Sequence, residues 1–568
     1  MSYQYATIDI ETTGLNRYKD RITWIGVGLA KDVDSSLAKT LIYQGNDPES
    51  MMRFKRLTDK LKKYKVKTVF QNGKFDTLFI EQHLDIKLPI HEDVMLMGTA
   101  FDLVAEHGLK KMAQAYLNVP DWDIKKKDKL SGDEQTVVPY LKLDVKYTWE
   151  LFQYFMENMT AQQRKIYVQL LRPAYRAYRD IERNGLYLDL DGMKSVKKKY
   201  AKEEATLLKQ LKQHYDINWN STAQVADAFF KKEGMPVVSK TAKGAASTSA
   251  EVLRDLSMKG YELPKLLLQY KDVATRNKMF LNRWEDDCYE SRIHPSFNLT
   301  NVVSGRTSCN NPNLQQVPRT KDIRGLFSGA PGMILFEADY SQLELRIAAH
   351  YANDKTMLRI YHEKGDIHTE TAKLFTNGRE PTKEERGKAK AVNFGFLYGM
   401  QAKKFVAYAL NSYGQTFTQN EAEHIRNLFF AKYSRLLPWH AEQEQLCEMQ
   451  GGISNMFGRF RRLPLIYSEN KWERASAARR AINTPVQGSG SDLLISAVTQ
   501  INKELKGIAW IGATVHDSII GECHVEDKDF VDETIRRIML HPKVLDDFGV
   551  KLRVPLDVDI GWGPWGTH

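Results

Sequence analysis

Asp9 and Glu11 stand one residue apart in the segment TIDIETTGL. Side chains alternate along a β-strand, so on a strand both carboxylates would share one face and could hold a divalent cation between them. Asp76 follows in FQNGKFD and Asp144 in YLKLD, with Tyr140 four residues before Asp144. On a helix that spacing stacks the tyrosine hydroxyl beside the carboxylate. Four carboxylates and a phenol suit two-metal phosphodiester hydrolysis. One cation turns water into hydroxide and the other stabilises the leaving oxygen. Tyr140 would orient the attacking water. Taken one at a time, each of these acids reads more readily as an ordinary solvated side chain.

A second set lies in the C-terminal half. Asp339 ends an apolar run in LFEADYSQLELRIAAHY, and Asp517 sits in ATVHDSII. A carboxylate at the C-terminal end of a strand is exposed at the sheet edge, where a ligand can reach it. Two such carboxylates on adjacent strand ends would suit two magnesium ions, one beside an attacking hydroxyl and one beside a triphosphate. Between them, Arg386, Lys390, Phe394 and Tyr398 recur every four residues in RGKAKAVNFGFLYG. On a helix they form one slowly drifting stripe, two cations then two aromatics, which suits a triphosphate followed by a sugar and base. An amphipathic helix with its aromatics in a core explains that stripe equally well.

The elements that must position these residues are legible in outline. Residues 5–10, 24–29 and 68–71 read as strands of an α/β domain that ends near Asn158. Residues 161–235 read mostly as helix, and residues 194–214 form a charged helix with Val196, Leu207, Leu208 and Leu211 as its apolar face. The polar, glycine-containing run SKTAKGAASTS (residues 239–249) reads as a loop, followed by helix over 250–287. Residues 333–338 read as a strand running into a helix from Gln342, and residues 382–439 as helical. Residues 513–523 read as two short strands around a turn at His516, Asp517 and Ser518.

The ordered set TIDIETTGL, FQNGKFD and YLKLD resembles the three exonuclease motifs of the DEDD proofreading nucleases, in the variant with tyrosine in the third motif. The resemblance implies a ribonuclease H-like domain over residues 1–160, with Asp9, Glu11, Asp76 and Asp144 as metal ligands and Tyr140 as a catalytic group. DYSQLELRIAAH, RGKAKAVNFGFLYG and VHDSI resemble motifs A, B and C of the family A DNA polymerases, nearest to the large fragment of bacterial DNA polymerase I and its phage relatives. The likeness runs essentially end to end and takes in SGRTSCNNPNLQQVP, DIHTETA and RAINTPVQGSGSD. It implies a right-hand polymerase over 161–568, with a thumb at about 185–292, a palm at about 293–350 and 486–568, and fingers at about 351–485.

By the same resemblance Asp339 and Asp517 are catalytic metal ligands, joined by the main-chain carbonyl of Tyr340. Arg386 and the catalytic Lys390 bind the triphosphate with help from His368. Glu344 excludes a ribose 2′-hydroxyl, and Gln342, Phe394 and Tyr398 complete the nucleotide pocket. Arg306, Arg480, Asn483, Gln487 and His516 touch primer and template, while the loop at 239–249 grips the duplex. The implied cofactors are two magnesium ions in each site, with manganese as a substitute. The implied partners are primer-template DNA and dNTPs, for a monomer. Two departures stand out: Ser518 follows Asp517 where the family usually has glutamate, and the expected thumb lacks the long insertion by which some phage relatives recruit thioredoxin. No 5′-nuclease domain is expected before the exonuclease.

Bulk properties fit this reading. A chain of 568 residues calls for several cores. The 82 basic and 71 acidic side chains leave a net charge of +11, which favours a polyanionic partner. The four cysteines are far apart and form no C-x-x-C pair, which argues against a zinc knuckle or a disulfide framework and fits a reducing compartment. Neither a leader nor an apolar run long enough to span a bilayer is evident, so a cytoplasmic protein is expected. The competing readings are a single-subunit RNA polymerase, opposed by Glu344 and by the nuclease motifs, and a nonenzymatic DNA-binding relative, opposed by the retention of all six metal carboxylates.

Overall fold

A computed structural model of the protein describes residues 3–566. The chain divides into two compact units. One comprises residues up to Asn184, Ser296–Cys309 and Ala338–Ile560; the other comprises Gly185–Pro295, Asn310–Glu337 and residues from Gly561 onward.

The first unit begins with a five-stranded sheet. Its strands are β1 (Tyr5–Thr12), β2 (Ile22–Ala30), β3 (Lys39–Gln44), β4 (Lys67–Phe70) and β5 (Glu92–Asp93), in the order β3-β2-β1-β4-β5. β1 pairs antiparallel with β2 and parallel with β4. The three expected strands are present, each within a residue or two of its expected bounds. β3 is not legible in the sequence: its first two residues are exposed and it lacks a clean alternation. Helices of this part of the chain include α1 (Gly73–Leu84), α2 (Glu134–Asn158) and α3 (Arg172–Asn184).

Two glycines in β2 set how closely α2 approaches the sheet. A Cβ at Gly26 would lie 2.8 Å from a Val145 methyl and 2.9 Å from Leu141, and one at Gly28 would lie 2.8 Å from the other Val145 methyl. Leu141 and Val145 are fully buried there, in a cluster with Trp24 and Val137. Asp9 lies opposite Gly26 in the β1–β2 register. A helix seated on Gly26 therefore brings its own side chains to Asp9.

The second unit is mostly helical. Its long helix α4 (Leu190–His214) buries Leu211 against Trp219, Val225, Phe229, Leu253, Leu256, Leu267 and Tyr270. Met193 and Tyr200 extend the buried face of α4 beyond the expected residues. The run at 239–249 is a loop with a single bridge between Lys240 and Ala246.

A four-stranded sheet, most of it in the first unit, is built from the C-terminal half. β6 (Met333–Tyr340), β7 (Ala509–Val515), β8 (Ser518–His524) and β9 (Val558–Trp562) run in the order β7-β8-β6-β9. β7 and β8 form a tight hairpin closed by the Val515–Ser518 pair. The same half of the chain contributes helices α5 (Leu343–Ala352), α6 (Ile367–Ala372), α7 (Lys383–Leu397) and α8 (Lys471–Glu504).

Candidate active site

Three carboxylates converge at the centre of the first sheet. Asp9, Glu11 and Asp144 each offer an oxygen, and these oxygens lie within 4.8 Å of one another. Strand alternation supplies the first two, and the seating of α2 on Gly26 supplies the third. Lys110 Nζ donates to Asp144 Oδ2 at 2.5 Å and to the Tyr140 hydroxyl at 2.6 Å, and Trp122 Nε1 donates to Asp144 Oδ1 at 2.6 Å. The expected tyrosine–aspartate stack is thus real and is bridged by an ammonium.

Asp76 stands slightly apart. It lies in the first turn of α1, and its Oδ1 accepts from the Ile10 amide at 3.0 Å, so it braces the strand between Asp9 and Glu11. It falls outside the close trio. The turn before it is tightly held: Asn72 has φ +61°, and Gly73 N donates to Asp93 Oδ2 at 2.8 Å.

Crowding shows in the proton affinities. Burial, then the charges of Asp76, Asp144 and Glu11, push the Asp9 carboxyl well above the ordinary range. Burial and the Asp144 charge push Glu11 up to about 7 against the opposing pull of Lys110 and Lys129. Burial also raises Asp76 strongly. Carboxylates this close repel one another unless cationic charge lies among them, so the donor set fits one or more hard divalent cations. Burial and the surrounding acids raise the Tyr140 hydroxyl as well, which leaves it a neutral hydrogen-bonding group at physiological pH.

The second site is assembled at the ends of β6 and the β7–β8 hairpin. Asp339 is exposed near the end of β6, and the next residue's amide, Tyr340 N, bonds to Asp517 O at 3.3 Å, so the two carboxylates lie on neighbouring chain segments. Asp517 is half-buried; burial and the Glu344 charge lift its carboxyl to about 6, against Arg306. The hairpin turns on His516, an exposed non-glycine residue at φ +55°. Gln342 adopts φ +55° at the start of α5. Such conformations cost about 1 kcal/mol or more and persist where surrounding structure enforces them. Ser518, in place of the family's usual acid, is buried and donates to Val515 O at 2.8 Å, so it closes the turn.

Glu344 lies in the first turn of α5 and is clasped between the Arg306 guanidinium and the Tyr398 hydroxyl. Arg306 is a DNA contact by resemblance; in this structure it pairs with Glu344. On α7, Arg386 Nε is bound to Asp366 Oδ2 at 2.6 Å, and Gln342 Nε2 reaches Asp366 Oδ1 at 2.9 Å. Lys390 follows one turn later and is exposed. Phe394 is half-buried with its ring centroid 6.0 Å from that of His368. His368 is buried; desolvation lowers it to about 4, so its ring is neutral, and Nδ1 meets Asn393 at 2.8 Å. Tyr398 corrects one expectation: α7 ends at Leu397 and Tyr398 is its C-cap, with φ −104° and ψ 22°, so the stripe of four loses its last member to the cap. The chain turns away at Gly399, which has φ +75°. Arg480, Asn483 and Gln487 lie along α8; Arg480 is exposed and the other two are half-buried. Asn483 Oδ1 has no hydrogen-bond partner among the described residues.

Lys110, Trp122 and Asp366 are the site residues that sequence reasoning missed. Asp366 carries a signal, since it caps α6 by accepting from His368 N and Thr369 N. Lys110 is one lysine among many, and only the folded chain aims it at Asp144.

These two arrangements have counterparts among known proteins. The model for DNA polymerase family A matches residues 190–567, and that for the 3′-5′ exonuclease family matches residues 2–160. DNA polymerase I of Pseudomonas aeruginosa is 28% identical over 596 residues, covering 98% of this chain and 62% of the relative. DNA polymerase I of Caldicellulosiruptor bescii is 31% identical over 83% of this chain and 54% of the relative. The thermostable DNA polymerase I of Thermus aquaticus is 31% identical over 70% of this chain and 48% of the relative. The chain thus spans about half to three fifths of the length of these relatives. The fold is similar to that of the POL domain of Pol1 from M. smegmatis, solved in complex with DNA primer-template and dNTP, with a TM-score of 0.82 at 23% identity, covering 98% of this chain and 95% of the other. With motifs A, B and C folded around one carboxylate-bearing hairpin and a family match over two thirds of its length, this chain belongs to DNA polymerase family A.

Proposed function

We propose that the protein is a template-directed DNA polymerase that adds dNTPs to a primer 3′ end and proofreads with its own 3′→5′ exonuclease. The observation that carries this reading is that Asp339 and Asp517 lie on neighbouring chain segments, in a chain whose helix α7 exposes Arg386 and Lys390 one turn apart.

Polymerases of this family and exonucleases of this type depend on metal ions, generally magnesium, which supply charge to the attacking and leaving oxygens. Two per site, with manganese as a substitute, is the count proposed. Asp339, Asp517 and the Tyr340 carbonyl would hold them in the polymerase site; Asp9, Glu11, Asp76 and Asp144 would do so in the nuclease site. The primer 3′-oxygen attacks the α-phosphorus in line and pyrophosphate leaves. Arg386 exchanges Asp366 for the triphosphate, Lys390 neutralises it, and the neutral His368 donates to a phosphate oxygen from a fixed orientation. Glu344, clasped by Arg306 and Tyr398, excludes a 2′-hydroxyl. Asn483, Gln487, Arg480 and His516 contact primer and template. In the nuclease site Tyr140 orients the water and Lys110 holds Tyr140 against Asp144. The corresponding domain assignment is a nuclease over 1–160, a thumb at about 185–292, a palm at about 293–350 and 486–568, and fingers between.

Primer extension with magnesium and either dNTPs or rNTPs tests the reading. Template-dependent growth with dNTPs and little with rNTPs is expected. No extension with either would refute it, and preference for rNTPs would identify an RNA polymerase.

A further inference from the structure

The turn that carries Asp76 is held largely by residues outside the nuclease match. Lys74, two residues before Asp76, is buried with its side chain 4% exposed, and its ammonium is engaged by the Glu182 carboxylate and the Phe297 carbonyl. Glu182, 5% exposed, lies near the end of α3 and also accepts from the Phe297 amide at 2.7 Å. Two turns earlier on the same face, the Tyr175 hydroxyl donates to Asn72 Oδ1 at 3.0 Å and accepts from Lys74 N at 3.3 Å. It therefore supports a left-handed residue at the start of α1. The same helix also reaches the second sheet. The Tyr178 hydroxyl meets Thr514 Oγ1 at 3.0 Å, three residues before Asp517, and Asn184 donates to Ile511 O at 3.0 Å.

We propose that Glu182 is a positioning residue of the nuclease site, which through Lys74 fixes the turn carrying Asp76 and registers it on the hairpin that carries Asp517. The inference rests on the reading of the Asp9–Asp144 cluster as a nuclease centre. A buried ammonium that loses its counter-charge must find water or move, and it can move only by dragging the Asn72–Asp76 turn with it. A displacement of about 1 Å at a reacting centre costs on the order of a hundredfold in rate. Glu182→Gln keeps the acceptor for the Phe297 amide and removes only the charge opposite Lys74. Removing the Lys74 charge as well leaves no uncompensated ion, so the double variant should recover what the single one loses.

The test uses the full chain and a single-stranded oligonucleotide. Glu182→Gln is expected to lower exonuclease kcat about tenfold or more and to raise the half-saturating magnesium concentration several-fold, with KM for DNA unchanged and primer extension by the same preparation within twofold of wild type. Tyr175→Phe should show a smaller loss, roughly threefold. Lys74→Met combined with Glu182→Gln should regain most of the kcat. An active wild type matched by Glu182→Gln would overturn the proposal. So would extension falling in step with excision, or a double variant no better than the single. A wild type with no exonuclease activity would remove the nuclease reading itself and the proposal with it.

Discussion

The proposed nuclease and polymerase centres use the same kind of ligand and prepare it in opposite ways. Asp9, Glu11 and Asp144 are already together, the first two half-buried and Asp144 buried and held by Lys110 and Trp122, so their mutual repulsion is built into the folded chain. Asp339 remains exposed, Asp517 is half-buried, and the groups around them are paired with one another: Glu344 with Arg306 and Tyr398, and Arg386 with Asp366. A hydrolytic site acts on any strand end that enters, so a stiff, preformed cage serves it. A polymerising site must take each new substrate by trading internal partners for a triphosphate. Ion pairs that can be exchanged suit that task, because the cations are oriented beforehand and are released when a stronger anion arrives.

The largest expected effect would break the comparison if it failed. Asp9→Ala with Glu11→Ala should lower excision by about 10³-fold or more while leaving extension near normal, and Asp339→Ala should do the reverse. Gel assays of both activities on one preparation decide it; loss of extension in the nuclease variant would mean that the two centres are not separate.

Next comes the sugar. Phe394 lies one turn beyond Lys390 and its ring approaches His368. A dNTP can use its 3′-hydroxyl to bond within its own triphosphate, whereas a dideoxynucleotide leaves a buried partner unpaired, at about 1–3 kcal/mol or roughly ten- to a hundredfold in rate. Phe394→Tyr should remove that discrimination and hardly alter dNTP use. Competition of ddNTP against dNTP in an exonuclease-deficient background measures it, and a tyrosine variant that still rejects terminators would place this ring elsewhere.

Glu344→Ala should weaken sugar selection by roughly tenfold while slowing extension, because it removes the clasped carboxylate and frees Arg306 and Tyr398. Single-nucleotide kinetics with rNTP and dNTP are the readout; unchanged selectivity would show that Glu344 does not meet the 2′ position.

The smallest effect concerns stability. Glu11 keeps its proton up to about pH 7 in the folded chain, whereas its ordinary value is 4.5. Between those values the folded state binds more protons than the unfolded one, so this carboxyl makes the metal-free protein less stable as pH rises through that window. A cation bound among the ionised carboxylates offsets the repulsion. The rise in Tm on adding magnesium should therefore be a few degrees larger at pH 8 than at pH 5. Differential scanning calorimetry at both pH values checks it, and an Asp9→Ala with Glu11→Ala variant should lose most of the difference.

Much of each centre was legible from residue order. Local periodicity places Asp9 and Glu11 on one face, stacks Tyr140 on Asp144, and puts Asp339 and Asp517 at strand ends, because these relations span only a few residues and depend on backbone geometry alone. The resemblance to known motifs implied the roles proposed for Glu344, His368 and α7. What residue order left open are contacts between segments far apart in the chain. The seating of α2 on Gly26, the ammonium of Lys110 at Asp144, the clasp on Glu344 and the Lys74–Glu182 pair each join residues whose types are common and whose spacing carries no period. The end of α7 at Leu397 was likewise decided by the turn at Gly399 rather than by the four-residue repeat that precedes it. Burial is the physical reason for the difference. A lysine or glutamate reads as solvated until packing removes the water around it, and only then does its partner become obligatory.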